Sequence, residues 1–98
     1  MILRFHPGAT AEHVANVRRY ESIHAGLGAE YLADFSITLE LLLEDPERHR
    51  IERPPDIRLI RLRRFPYRVV YRQSSRAVEV LAVAHVRRLP RYWDERAN

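Results

Sequence analysis

Seventeen basic side chains, every one of them arginine, are the groups in this 98-residue sequence most able to do chemistry. A guanidinium offers a planar fork of donors that fits phosphate or carboxylate, and its pKa is too high for it to serve as a base. Their placement is uneven. Residues 1–47 carry three arginines against eight acidic residues, and residues 48–98 carry fourteen against five, so a net charge of −5 is followed by one of +9. Six of them crowd into two short runs: Arg61, Arg63 and Arg64, then Arg87, Arg88 and Arg91. Like charges so close repel unless an anion sits among them, which makes these six the candidate nucleic-acid- or target-binding residues. A well-solvated surface, with arginine favoured by a GC-rich genome, is the plainer alternative. There is no lysine and no cysteine. Disulfides, thiolate metal sites and a cysteine nucleophile are excluded, and no metal or cofactor is expected.

These arginines need a scaffold. The length fits one domain, residues 1–98, burying only about 60–65% of its unfolded surface. Met1–Phe5 reads as a short strand broken by His6-Pro7. A helix starts at Pro7 or, with Thr10 as cap, three residues later. Val14, Val17, Tyr20 and Ile23 give it a stripe to bury, and Gly26-Leu27-Gly28 ends it. A second helix, Ala29–Glu44, presents Tyr31, Leu32, Phe35, Leu39, Leu42 and Leu43 on one face. Glu30, Asp34 and Glu40 lie largely off that face. Asp45-Pro46 closes the helix, and Glu47–Asp56 reads as a loop. Strands follow at Ile57–Arg64, Tyr67–Gln73 and Val78–Val86, the last two forming a hairpin through Gln73-Ser74-Ser75-Arg76. Short links predict antiparallel pairing throughout. The order β-α-α-β-β-β gives an α+β fold, a helical hairpin packed on one face of a small antiparallel sheet. The other face is expected to stay largely bare and arginine-lined, followed by a basic, aromatic tail, Arg87–Asn98. No apolar run approaches about 20 residues, and the N-terminus is too short for a signal peptide. A soluble, cytoplasmic protein with no membrane partner is expected.

Two stretches have a specific spelling: Arg64-Phe65-Pro66-Tyr67-Arg68-Val69-Val70-Tyr71-Arg72, and Val80-Leu81-Ala82-Val83-Ala84-His85-Val86-Arg87-Arg88-Leu89-Pro90-Arg91-Tyr92-Trp93. They resemble the C-terminal signature of RelE/ParE superfamily toxins of type II toxin–antitoxin systems, the plasmid stabilisation protein type. Phe5-His6-Pro7 is similar to that family's strand-to-helix entry, and Gly26-Leu27-Gly28-Ala29 with Phe35 resembles its helix–helix joint. The resemblance covers nearly the whole chain in order. It implies a growth-inhibiting toxin neutralised by a cognate antitoxin protein, with operator DNA engaged only through the antitoxin complex. ParE-like members inhibit DNA gyrase, whereas RelE-like members cleave mRNA on the ribosome without a metal, and the fold does not choose between them. The cleavers commonly carry lysines, so their absence here favours gyrase. A non-toxic nucleic-acid-binding module and a degenerate toxin that keeps only its partner interaction are the other readings.

Only the ribonuclease branch makes the chain an enzyme. Metal-free cleavage needs a base for the 2′-hydroxyl, positive charge on the phosphate and an acid for the leaving oxygen. By resemblance, Arg68 and either Arg87 or Arg88 are the phosphate-binding arginines, and Tyr92 lies near the family's C-terminal tyrosine. His85, with a reference pKa of about 6.5, is the best-tuned base. Arg58, Arg61 and Arg63 replace the charge of the absent lysines but not a neutral lysine's basicity. Structural roles compete: His85 ends the last strand, and Tyr92 and Trp93 pack the tail.

Overall fold

The computed structural model describes residues 1–98. Ile2–Phe5 forms β1, and Pro7, which has no donor to waste, opens α1 at Pro7–Ile23. His6 rather than Thr10 caps this helix, its Nδ1 accepting from the Gly8 N–H at 3.0 Å. At the other end Gly26 takes a left-handed φ of 90°, where a side chain would be strained, and the chain reverses. The Glu21 carboxylate fastens this joint by accepting from the Gly26 and Gly28 N–H groups at 3.0–3.1 Å. The second helix, α2, spans Leu27–Glu44, starting at Leu27 rather than Ala29.

The rest is sheet: β2 Ile51–Arg53, β3 Ile57–Arg61, β4 Tyr67–Ser74 and β5 Ala77–His85. The strand order is β1-β5-β4-β3-β2. Two expectations change here. The sheet is mixed, because β1 pairs parallel to β5 from Ile2↔Ala77 to Phe5↔Val80. Short links impose antiparallel pairing only from β2 to β5; β1 is separated from β5 by the helical hairpin and three strands, and is free to lie either way. The expected loop Glu47–Asp56 also contains β2, a three-residue edge strand too short to show a period.

The inward stripes are rotated from those that apolar residues alone suggest. Val14 and Ile23 are 40% and 65% exposed, whereas Ala9 and Asn16 are buried and His13, Val17 and Tyr20 partly so. Polar groups are tolerated inside because they find partners. Asn16 Nδ2 donates to the Tyr31 hydroxyl at 3.2 Å, and His13 Nδ1 lies 3.0 Å from the same oxygen. On α2, Leu32 and Leu43 are exposed, and Asp34, expected off the apolar face, is only 7% exposed. The helical hairpin covers the sheet face made by Tyr67, Val69, Tyr71, Val78, Val80 and Val83, with Tyr31, Phe35, Leu42 and Phe65 completing the core.

The second face is not bare. The tail folds back across it and buries Trp93 and Ala97 against Ile57, Val70, Leu81 and Ala82. Burying an indole of about 200 Å² contributes on the order of 5 kcal/mol before conformational entropy is subtracted. A short 3₁₀ turn at Asp94–Ala97 ends the chain's regular structure. The tail is thus a third layer, so the arginines on this face are partly roofed.

Candidate target-binding end of the sheet

Register decides where the predicted residues meet. Arg61 pairs with Arg68 and Tyr67 with His85, while Val86 N–H donates to Pro66 O at 2.9 Å. The tip of the β3–β4 hairpin and the exit of β5 therefore occupy the same end of the sheet. Arg61, Arg63, Arg64, Arg68, Arg87, Arg88 and Arg91 gather there. The hairpin tip is held from behind by Asp34, whose Oδ2 accepts from the Arg64 and Phe65 N–H groups at 2.9 Å each. β3 stops at Arg61 rather than Arg64, because Leu62–Pro66 make this anchored turn.

The arginines divide into those that already have an anion and those that do not. Glu12 of α1 is the centre of the first group. Its Oε1 accepts from Val83 N–H at 3.0 Å and Arg96 Nη1 at 2.9 Å; its Oε2 accepts from the Tyr92 hydroxyl at 2.7 Å, Arg96 Nη2 at 3.1 Å and Arg88 Nη1 at 3.2 Å. The Arg88 guanidinium also lies over the Tyr92 ring, 3.7 Å from its centroid. Gly8 permits this packing, since a Cβ there would sit 2.5 Å from Arg96 Cζ. Arg64 pairs with Glu30, and Arg91 donates to the Glu52 carbonyl at 2.7 Å. Arg61, Arg63, Arg68 and Arg87 make no side-chain hydrogen bond or ion pair. The six arginines were expected to share one anionic partner; Arg64 and Arg88 have theirs inside the molecule.

Arg68, His85, Arg88, Arg91, Tyr92 and Trp93 line one recess, but its volume is about 40 Å³. That is room for a water or two, not for a nucleotide. His85 Nδ1 accepts from the Arg87 N–H at 3.0 Å. In the neutral ring this puts the proton on Nε2 and occupies the remaining lone pair. Burial, together with the guanidiniums of Arg19 and Arg87, pushes the His85 pKa below 6.5. Burial and the hydrogen bond to Glu12 raise that of Tyr92 well above 10. The histidine is a neutral ring with its acceptor in use, and the tyrosine is a donor with its acceptor already chosen. No three histidine, aspartate or glutamate side chains converge closely enough to hold a metal ion. Glu12 and Asp34, which organise this end, escaped the sequence reading. Spacing gave no signal for Glu12, because Ala9 and Asn16, which share its buried side of α1 three residues before and four after it, belong to no apolar stripe.

A helical hairpin on one face of a mixed sheet, with a cluster of arginines at one end of that sheet, defines a small α+β protein. The ParE toxin family, described as "ParE toxin of type II toxin-antitoxin system, parDE", matches residues 3–90, and the chain belongs to that family. It is a type II toxin. A chain in the solved structure of the chromosomal ParDE toxin–antitoxin system from P. aeruginosa has the same fold. The TM-score is 0.76 at 19% identity, covering 88% of this chain and 96% of that one. No curated protein matches in sequence. The tail from Arg91 onward, including Tyr92, Trp93 and Arg96, lies beyond the matched residues. No helix is long and apolar enough to cross a membrane.

Proposed function

We propose that this toxin arrests growth in the cytoplasm by binding DNA gyrase with its arginine-rich end. A cognate antitoxin neutralises it, and operator DNA is reached only through the toxin–antitoxin complex. The observation that carries binding over cleavage is the state of the two proton-transfer candidates. The His85 lone pair is taken by the Arg87 N–H and the Tyr92 hydroxyl proton by Glu12, so neither stands ready to take a proton from a substrate. Guanidiniums without an internal anion can still grip an acidic protein surface. Ribosome-dependent mRNA cleavage keeps one observation in its favour, that Arg68, His85 and Tyr92 share a recess.

One preparation tests both. Purified toxin should inhibit gyrase supercoiling, and His85→Ala should inhibit as well as the parent. Cleavage of ribosome-bound mRNA in chelator, slowed about 10²–10⁴-fold by His85→Ala and Tyr92→Phe, would instead make those residues an acid–base pair. Co-expression with the small neighbouring gene should give a co-purifying complex that restores supercoiling.

A further inference from the structure

We infer that the segment Val86–Arg91 is a preformed docking loop whose exposed Leu89 enters an apolar pocket rimmed by carboxylates on a protein target. This rests on the target-binding reading of the arginine-rich end and names the chemistry of the partner. Leu89 is 75% exposed, the most of any large apolar side chain in the molecule. Single exposed leucines are ordinary on a surface; the surroundings of this one are not.

The loop is held from several sides. Arg87 N–H donates to His85 Nδ1 at 3.0 Å and Arg88 N–H to the His85 carbonyl at 2.9 Å. The Arg88 side chain is pinned between Glu12 and the Tyr92 ring. Arg91 reaches across to the Glu52 carbonyl, and its own φ is 59°, a left-handed conformation that costs a non-glycine residue roughly 1–2 kcal/mol. Pro90 fixes a further backbone angle. A side chain displayed on a backbone already ordered loses little entropy on binding, which is what a hot-spot anchor requires.

Charge argues for the occupant. Arg87 beside Leu89, and Arg61, Arg63 and Arg68 at the same end, make no ion pair, so the apolar tip stands in a positive field. A carboxylate-rimmed apolar pocket satisfies both features, whereas a phosphate backbone has no use for a projecting leucine.

The test uses Leu89→Ala, Leu89→Met and Leu89→Arg in the full chain, each checked for an unchanged melting temperature, since the side chain is solvated. Growth arrest on induction is read beside supercoiling inhibition with purified gyrase. Leu89→Ala should weaken both at least tenfold, Leu89→Met should stay near wild type, and Leu89→Arg should be as weak as alanine or weaker. Undiminished arrest by Leu89→Ala overturns the docking loop while leaving the arginine-rich end as the binding site. Stronger arrest by Leu89→Arg overturns it in favour of nucleic acid. Loss of antitoxin co-purification with arrest intact overturns it in favour of the antitoxin. If wild type arrests growth without touching gyrase, the target is wrong, yet the Leu89 series still decides the loop. A wild-type chain that arrests nothing removes both.

Discussion

Replacing Glu12 with glutamine keeps the shape and one acceptor but removes the charge on which three tail side chains converge. The loss can be worked from the contacts. The Glu12–Arg96 pair is mostly buried, with side chains 14% and 21% exposed, and carries two hydrogen bonds of about 1.5–3 kcal/mol each. Arg88 is half exposed, so its ion pair is screened and contributes about 0–1 kcal/mol. Val83 N–H retains an acceptor if the amide oxygen faces it, while the Tyr92 hydroxyl must find a new partner. Glu12→Gln should therefore cost about 2–4 kcal/mol, a large share of the roughly 5–15 kcal/mol of a domain this size. At about 4–8 °C per kcal/mol, the melting temperature should fall by about 8–32 °C. Thermal unfolding followed by circular dichroism reads the drop, and a double-mutant cycle with Arg96→Gln should show coupling above about 1 kcal/mol. A loss under about 1 kcal/mol, or additive single variants, would mean that Glu12 does not hold the tail and that the internal-anion account of Arg88 is wrong.

Three further outcomes are expected. Asp34→Ala strands the Arg64 and Phe65 N–H groups, should cost about 1–3 kcal/mol, and should speed proteolytic cutting at the β3–β4 tip without unfolding the chain; an unchanged cutting rate contradicts the anchor. Arg91→Gly and Arg91→Ala both lose the guanidinium, but glycine alone is at ease at a φ of 59°, so it should be the more stable of the two by about 1 kcal/mol in denaturant unfolding. Burial lowers the His13 pKa below 6.5, so the folded state prefers the neutral ring; its contribution is complete above pH 6.5 and is lost as pH falls through the folded pKa. Melting temperatures between pH 8 and pH 5 should fall, and less steeply in His13→Gln; parallel slopes in the two proteins would refute it.

Periodicity and turn chemistry made the helical hairpin and the β3–β4–β5 meander legible, because both are local: spacing 3.6 or 2, a proline opening α1 and a glycine after it. The parallel seat of β1 on β5 was not, since no local signal ties Ile2 to Ala77. Val14 and Ile23 misled for a different reason. An apolar stripe assumes that only apolar groups face inward, while Asn16, Asp34 and Glu12 go inside with their hydrogen bonds satisfied. The arginine-rich end was found from charge alone, and charge could not sort it. Arg88 and Arg87 are adjacent in sequence, yet one is locked onto Glu12 and the other is free, a distinction that exists only once residues about eighty positions apart have met. Trp93, which sequence allowed as tail packing, does pack there.

Those distant meetings have a consequence in time. The α1–α2 joint and the β3–β4–β5 turns close short loops and form early, whereas Glu12 and Tyr92, 80 residues apart, must wait for most of the chain to be in place. Seating the tail is thus expected to be the last event of folding. The same event stills Arg88 and Arg91 and so raises Leu89 into its display. If Leu89 docks as proposed, completion and competence to bind become one step, and Trp93, the only tryptophan, is placed to report it as a late change in fluorescence.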